Sequence, residues 1–277
     1  MLSYQHEYHA GNHADVLKHC VLTLLIGALQ RKPAPLRVID THAGSGVYDL
    51  DDERALHRRE HEGGIARVLA QRARPPEIAR YLEVVEAFNE NGELRRYPGS
   101  PPIARALLRP QDHLELFELH PQAFAALATR FRRDRQAHVH RRDALEGLVA
   151  VVPPPERRGV VLVDPSYETR DDFVRVPDAL GAAHRRWAIG VYAVWYPLID
   201  KPAAAKLARA LRALPLPRLF EVELEISPAA SGLRGSGLVI ANLPFGVDAE
   251  LERLLPWLDR VLAGGAGTHR ARWLAPQ

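Results

Sequence analysis

Four residues, Asp164-Pro165-Ser166-Tyr167, follow the apolar run GVVLV (159–163) and have a specific chemical logic. An aspartate oxygen, together with a backbone carbonyl fixed by proline, can accept both hydrogens of a planar amino group. Those acceptors favour the pyramidal, nucleophilic nitrogen and stabilise the positive charge that develops as it attacks. The exocyclic nitrogen of adenine needs such help, because its lone pair is delocalised into the ring. Tyr167 adds a flat face on which an extruded base can stack. A polar turn after a strand is the plainer reading of the same residues.

Two further motifs fit a nucleoside-bearing cofactor. Asp40-Thr41-His42-Ala43-Gly44-Ser45-Gly46 ends another apolar run, LRVIDT (36–41), and its glycines permit a tight turn and close backbone approach. The third glycine of a dinucleotide fingerprint is missing, since Val47-Tyr48 follow, which disfavours NAD. Glu118 closes the run LELFEL (114–119), where a carboxylate can accept from both hydroxyls of a ribose. A plain strand–helix turn and a solvated strand-end glutamate are the competing readings. The histidines His6, His9, His13 and His19 lack cysteines or clear carboxylate partners nearby in sequence, so no metal site is expected.

These motifs need a sheet to bring them together. Apolar runs of strand length recur at 36–41, 114–119, 137–140, 159–165 and 188–197, separated by helical stretches at 121–131, 143–152 and 171–187. That alternation argues for a parallel sheet covered on both faces. Past a helix near 202–213, RLFEVELEIS and SGLVIANLP read as an antiparallel pair. The layout resembles that of a class I methyltransferase: a Rossmann-like, mostly parallel seven-stranded sheet with one reversed strand. A single domain spanning 1–277 is expected, with 50–97 as an inserted helical subdomain, being charged and punctuated by Gly63-Gly64 and Pro75-Pro76. The first helix should start from Asn12 as N-cap and run to about Gln30. Asn242-Leu243-Pro244-Phe245 resembles the Asp164 motif superficially but falls at the far end of a strand, so it reads as a structural turn.

Bulk properties set the remaining bounds. The 277 residues are 47% hydrophobic and 26% charged, enough for a full α/β core. The chain has no long uncharged apolar run and no signal-peptide pattern, so neither a membrane span nor export is expected. Cys20 is the only cysteine, on a helical apolar pattern with Val16 and Leu24, which fits a core position in a cytoplasmic protein. The formal charge is +3, and Arg58-Arg59, Arg95-Arg96, Arg132-Arg133 and Arg141-Arg142 come as pairs. Paired arginines suit phosphate, though a solvated face would look the same.

Asp164–Tyr167 resembles the Asp-Pro-Pro-Tyr motif of amino-methyltransferases. The whole chain is similar to the bacterial RlmJ-type family that forms N6-methyladenine in 23S ribosomal RNA. The blocks that carry the likeness are Tyr4 to His19, Asp40–Gly46, Tyr97-Pro98-Gly99-Ser100-Pro101, Glu118-Leu119-His120-Pro121 and Trp195-Tyr196-Pro197. Ser166 departs from the motif's second proline but leaves both acceptors and the tyrosine in place. The resemblance implies S-adenosyl-L-methionine as cofactor, held by His19, His42, Ser100, Glu118, Asp143, Ala144 and Asp164. It implies Asp164 as the catalytic residue and rRNA as partner, with Tyr4 and His6 reaching toward the target base, Lys18 beside them and Tyr167 as the stacking face. Ser100 would cap the helix that opens at Pro101, and Asp143 would accept from the cofactor's adenine. The arm that carries Tyr4, His6 and His9 lies outside any core-forming periodicity and is expected to close over the active site when RNA binds. A monomer is expected. The rival readings are an amino-methyltransferase for guanine-N2 or a glutamine amide, and a non-catalytic RNA-binding relative.

Overall fold

Alternating apolar residues decide how the chain layers. In β6 (Gly159–Val163), Val160 and Leu162 enter one buried cluster and Val161 and Val163 the other, so both faces of the strand are covered. A strand buried on both sides reads as a continuous apolar run. The computed structural model describes residues 6–89, 91–167, 171–199, 202–227 and 232–274. Besides β6 its strands are β1 (Arg37–Asp40), β2 (Val47–Asp49), β3 (Arg96–Pro98), β4 (His113–Phe117), β5 (Ala137–His140), β7 (Val191–Leu198), β8 (Phe220–Glu225), β9 (Gly235–Ala241) and β10 (Thr268–Trp273).

The main sheet runs in the order β10-β8-β9-β7-β6-β1-β4-β5. β5, β4, β1, β6 and β7 are mutually parallel. β9 is reversed between β7 and β8. The sheet therefore has eight strands rather than the expected seven, because β10 adds antiparallel to β8. Its sequence, THRARW, is mostly exposed and carries no apolar run to betray it. Arg270 and Arg272 hold it instead, pairing across to Glu223 and the fully buried Glu221. The helix Val247–Ala263, also unanticipated, covers this end of the sheet through Leu251, Leu254, Leu255, Leu258 and Leu262.

The first helix is His13–Gln30, capped by Asn12, whose side chain accepts from the Ala14 and Asp15 amides. It is buried on nearly every side, Cys20 included, so the polar residues Asp15, Lys18 and His19 are carried into the interior. Between β1 and β4 the chain makes the helices Glu53–Arg58, Glu60–Gly63, Ile65–Leu69 and Pro76–Ala87. They are bracketed by the antiparallel pair β2–β3. Ile65, Val68, Ile78 and Tyr81 from these helices join the same buried cluster as the first helix. Asn242 adopts a left-handed φ of 57° and donates to the Ala188 and Gly190 carbonyls, locking the turn after β9. Among the described residues, no helix is long and apolar enough to cross a membrane.

Candidate active site

Three neighbouring strands, β4, β1 and β6, deliver their carboxyl ends to one cavity of about 1600 Å³. Every anticipated site residue within the described chain lines it: His6, Lys18, His19, His42, Ser100, Glu118, Asp143, Ala144, Asp164 and Tyr167. Tyr4 lies outside the described residues.

The turn after β1 depends on glycine. Gly44 and Gly46 have φ of 62° and 87°, where a side chain is strained. A β-carbon on Gly44 would also collide with the Tyr48 hydroxyl. The Gly44 amide donates to Glu118 Oε2 (2.8 Å) and the His120 amide to Oε1 (2.7 Å). Each oxygen keeps a further lone pair, so a diol can still be accepted. Burial pushes the Glu118 carboxyl above its ordinary value, against these amides.

Ser100 is not an N-cap. Gly99 occupies that position, with extended backbone and no side-chain cap, and Ser100 is the first residue of the helix Ser100–Leu107. Its hydroxyl bonds the buried Asp40 instead. Burial raises Asp40 to about 6, with Ser100 and the His42 amide opposing, and Asp40 Oδ2 has no partner among the described residues. His42 Nδ1 lies 2.7 Å from the Thr41 hydroxyl, and burial lowers its imidazole to about 4. Asp143 caps the helix Ala144–Val151, accepting from the Leu145 and Glu146 amides, while its other oxygen takes Arg175 (2.8 Å).

At the end of β6, Lys18 Nζ lies 2.5 Å from Asp164 Oδ2 and 2.8 Å from Asp15 Oδ1. His6 Nε2 and the Gly11 amide both donate to Asp15 Oδ2 at 2.9 Å. Burial pulls Lys18 down, but the two aspartates outweigh it and hold the ammonium above its ordinary value. For Asp164, burial pushes the carboxyl up and Lys18 opposes it. His19 is 1% exposed. Its Nδ1 lies 2.7 Å from the Tyr97 hydroxyl, and Nε2 is buried with no partner among the described residues. Burial lowers this imidazole to about 3. Tyr167, in left-handed backbone (φ 52°), donates its hydroxyl to the Trp195 carbonyl (2.7 Å). Its ring leans on Phe173 at a centroid distance of 5.0 Å.

The N-terminal segment is tied to the fold from His6 onward, so His6 and His9 are packed on the core rather than outside it. His6–Tyr8 forms a 3-10 turn, His6 packs on Tyr48 (4.9 Å), and His9 and Asn12 both reach Glu60 of the inserted helices. The carboxylates that His6 and His9 meet lie 9 and 51 positions away in sequence, which is why the histidines looked unpartnered. Asp15, Asp40, Tyr97 and Arg175 were missed as site residues. Only the Asp15-x-x-Lys18 spacing, one face of one helix, could have signalled them.

The glycine turn after β1, the acidic residue after β4 and the Asp-Pro motif after β6, on a sheet with β9 reversed, define a class I methyltransferase. The family model described as "Ribosomal RNA large subunit methyltransferase D, RlmJ" matches residues 33–275, and the chain belongs to that family. A protein named ribosomal RNA large subunit methyltransferase J from Escherichia coli is 40% identical over 100% of both chains. A protein of the same name from Haemophilus influenzae is 38% identical, again over the full length of both. A crystal structure of a Legionella pneumophila protein, 35% identical, superposes with a TM-score of 0.90 over 96% of this chain and 98% of that one.

Proposed function

We propose that this chain transfers a methyl group from S-adenosyl-L-methionine to the exocyclic nitrogen of an adenine in 23S ribosomal RNA, acting as a monomer in the cytoplasm. The observation that carries the reading is the placement of Glu118 and Asp164 on either side of the glycine turn, in one cavity. One carboxylate suits a ribose diol and the other an amino nucleophile, at the two ends of a transfer reaction.

The donor set fits the cofactor. Glu118 retains lone pairs for the ribose, and the left-handed Gly44–Gly46 turn brings the Gly44 amide onto that carboxylate. Asp143 and Ala144, opening a helix, meet the adenine end. His19 Nε2, buried and unpaired among the described residues, and Ser100 stand on the methionine side together with Asp164 and His42. When bound, the cofactor supplies an electrophilic methyl group on a sulfonium.

The chain's own residues do the rest. Extruding the adenine costs a few kcal/mol, less for an unpaired base. Asp164 and the Pro165 carbonyl accept the two amino hydrogens, which orients the nitrogen and stabilises its developing charge. Lys18 opposes the upward push that burial gives the Asp164 carboxyl and so favours its accepting form. Tyr167, fixed through its hydroxyl to β7, forms the wall against which the base rests. Holding both reactants in one geometry contributes most of the acceleration. The test is mapping of modified adenines in ribosomal RNA from a strain lacking the gene. One N6-methyladenine should vanish from 23S RNA and return on complementation. An unchanged map, or loss of a methylguanine instead, contradicts the proposal.

A further inference from the structure

The arginine pairs are not equivalent once folded. Arg58 lies 3.6 Å from Glu60, Arg59 2.5 Å from Glu62 and Arg95 2.8 Å from Glu93, so these cations are neutralised locally. A second group has no such partners. Arg96, Arg130, Arg132, Arg133 and Arg135 form no ion pair among the described residues. Arg130, Arg133 and Arg135 line an open depression of about 460 Å³ together with Arg105. The acid in its wall, Asp134, is taken by Arg105.

This depression adjoins the active site through one helix, Pro121–Phe131. Gln122, Ala126 and Arg130 follow at intervals of four and so share one stripe of its surface. The first two line the active-site cavity and the third lines the depression. Eight helical residues rise about 12 Å, a span of a few nucleotides along a strand. Arg130 also lies over the active-site turn: a β-carbon on Gly46 would sit 3.4 Å from its Cδ. Burial, and after it the nearby Arg96 of β3, disfavour the charge on Arg130. Crowded guanidinium groups without counter-charge raise the local potential and attract an anion.

We propose that this depression is a phosphate-binding groove that grips the RNA backbone beside the target adenine, with Arg130 and Arg133 as its principal cations. The inference rests on the RNA reading above and adds which of the basic surfaces does the gripping. An RNA strand whose base enters the cavity would place neighbouring phosphates along the stripe from Gln122 to Arg130. The arginines at 58, 59 and 95 take little part, since each already has its acid.

The test compares the wild type, a doubly substituted R130E/R133E protein and an R58E/R59E control on a transcribed 23S RNA fragment that the wild type methylates. The groove variant should bind this RNA at least about tenfold more weakly, and its logarithmic salt dependence should lose a slope of about two. Its affinity for S-adenosylmethionine, measured by calorimetry, should stay unchanged, which reports an intact fold. The control should bind RNA within about threefold of wild type. A wild type with steep salt dependence and a groove variant of equal RNA affinity would overturn the groove alone. Transfer of the loss to the control would do the same. A wild type that binds and methylates no RNA would overturn the RNA reading, and the groove with it. RNA binding left intact beside lost binding to an acidic protein would assign the surface to a different partner.

Discussion

Lys18 joins the buried Asp15 to the partly exposed Asp164, and its removal should reveal what each does. Burial already raises Asp164, and Lys18 is the main opposing influence. The active form is the ionised acceptor, so activity falls as pH drops through the Asp164 pKa. Without the cation that pKa rises further. Lys18→Met should therefore move the acid limb of kcat/KM to higher pH, and Lys18→Arg should restore much of the wild-type profile. A Lys18→Met profile that overlays the wild type would remove Lys18 from the electrostatics of the site. His19 supplies a second pH effect, on stability. Its folded pKa is about 3 against 6.5 for the free side chain. Between those values the unfolded chain binds a proton that the folded chain does not, so stability falls as pH falls from 6.5. The loss is about 1.4 kcal/mol per pH unit for one such proton. His19→Gln should flatten the decline of Tm between pH 6.5 and 4. Equal slopes in the two proteins would contradict this.

At the scale of elements, β10 and the His6–Tyr8 turn are the pieces most open to test. β10 covers the edge of β8 and supplies Arg270 and Arg272 to Glu223 and Glu221. Truncation after Gly267 leaves Glu221, which is fully buried, with fewer partners and bares a strand edge. The cost should be on the order of 3 kcal/mol, a fall in Tm of roughly 6–12 °C. A thermal scan showing less than about 2 °C of change would mean that β8 needs no cover. For the N-terminal turn, His6→Ala removes the donor to Asp15. On the proposal that His6 serves the target base, this should lower methylation while leaving cofactor affinity within about twofold. Loss of cofactor binding would place His6 with the other group of residues. What was legible at this scale follows from burial. β1, β4 and β6 are apolar because both their faces are covered, and they showed in the sequence with their chemical end residues. β10 is an exposed polar edge and left no pattern. Ser100 has the composition of a cap, but Asp40 draws its hydroxyl away and Gly99 takes the position.

The whole molecule is organised by the order of its strands. β1 lies between β4 and β6, so Glu118 and Asp164, 46 positions apart, flank one glycine turn. Strand alternation and the spacing of motifs were enough to anticipate this arrangement. The meeting of the first helix with β6 was not legible, since Lys18 and Asp164 are 146 residues apart and no local pattern announces the pair. The same holds for His19 and Tyr97, brought together by the insertion packing back on the first helix. At this scale, Glu118→Ala should weaken S-adenosylmethionine binding by about tenfold or more in calorimetry, with the Tm within a few degrees of wild type. Unchanged affinity would move the cofactor away from β4. The central claim is that Asp164 holds an adenine amino group for methylation. Its most direct test is a reaction of wild type and Asp164→Ala with labelled S-adenosylmethionine and a transcribed 23S RNA fragment, digested to nucleosides and resolved by mass spectrometry. The wild type should yield labelled N6-methyladenosine, and the folded variant, at saturating S-adenosylmethionine, should yield none. Label in any other nucleoside, or an equal yield from the variant, would contradict the account.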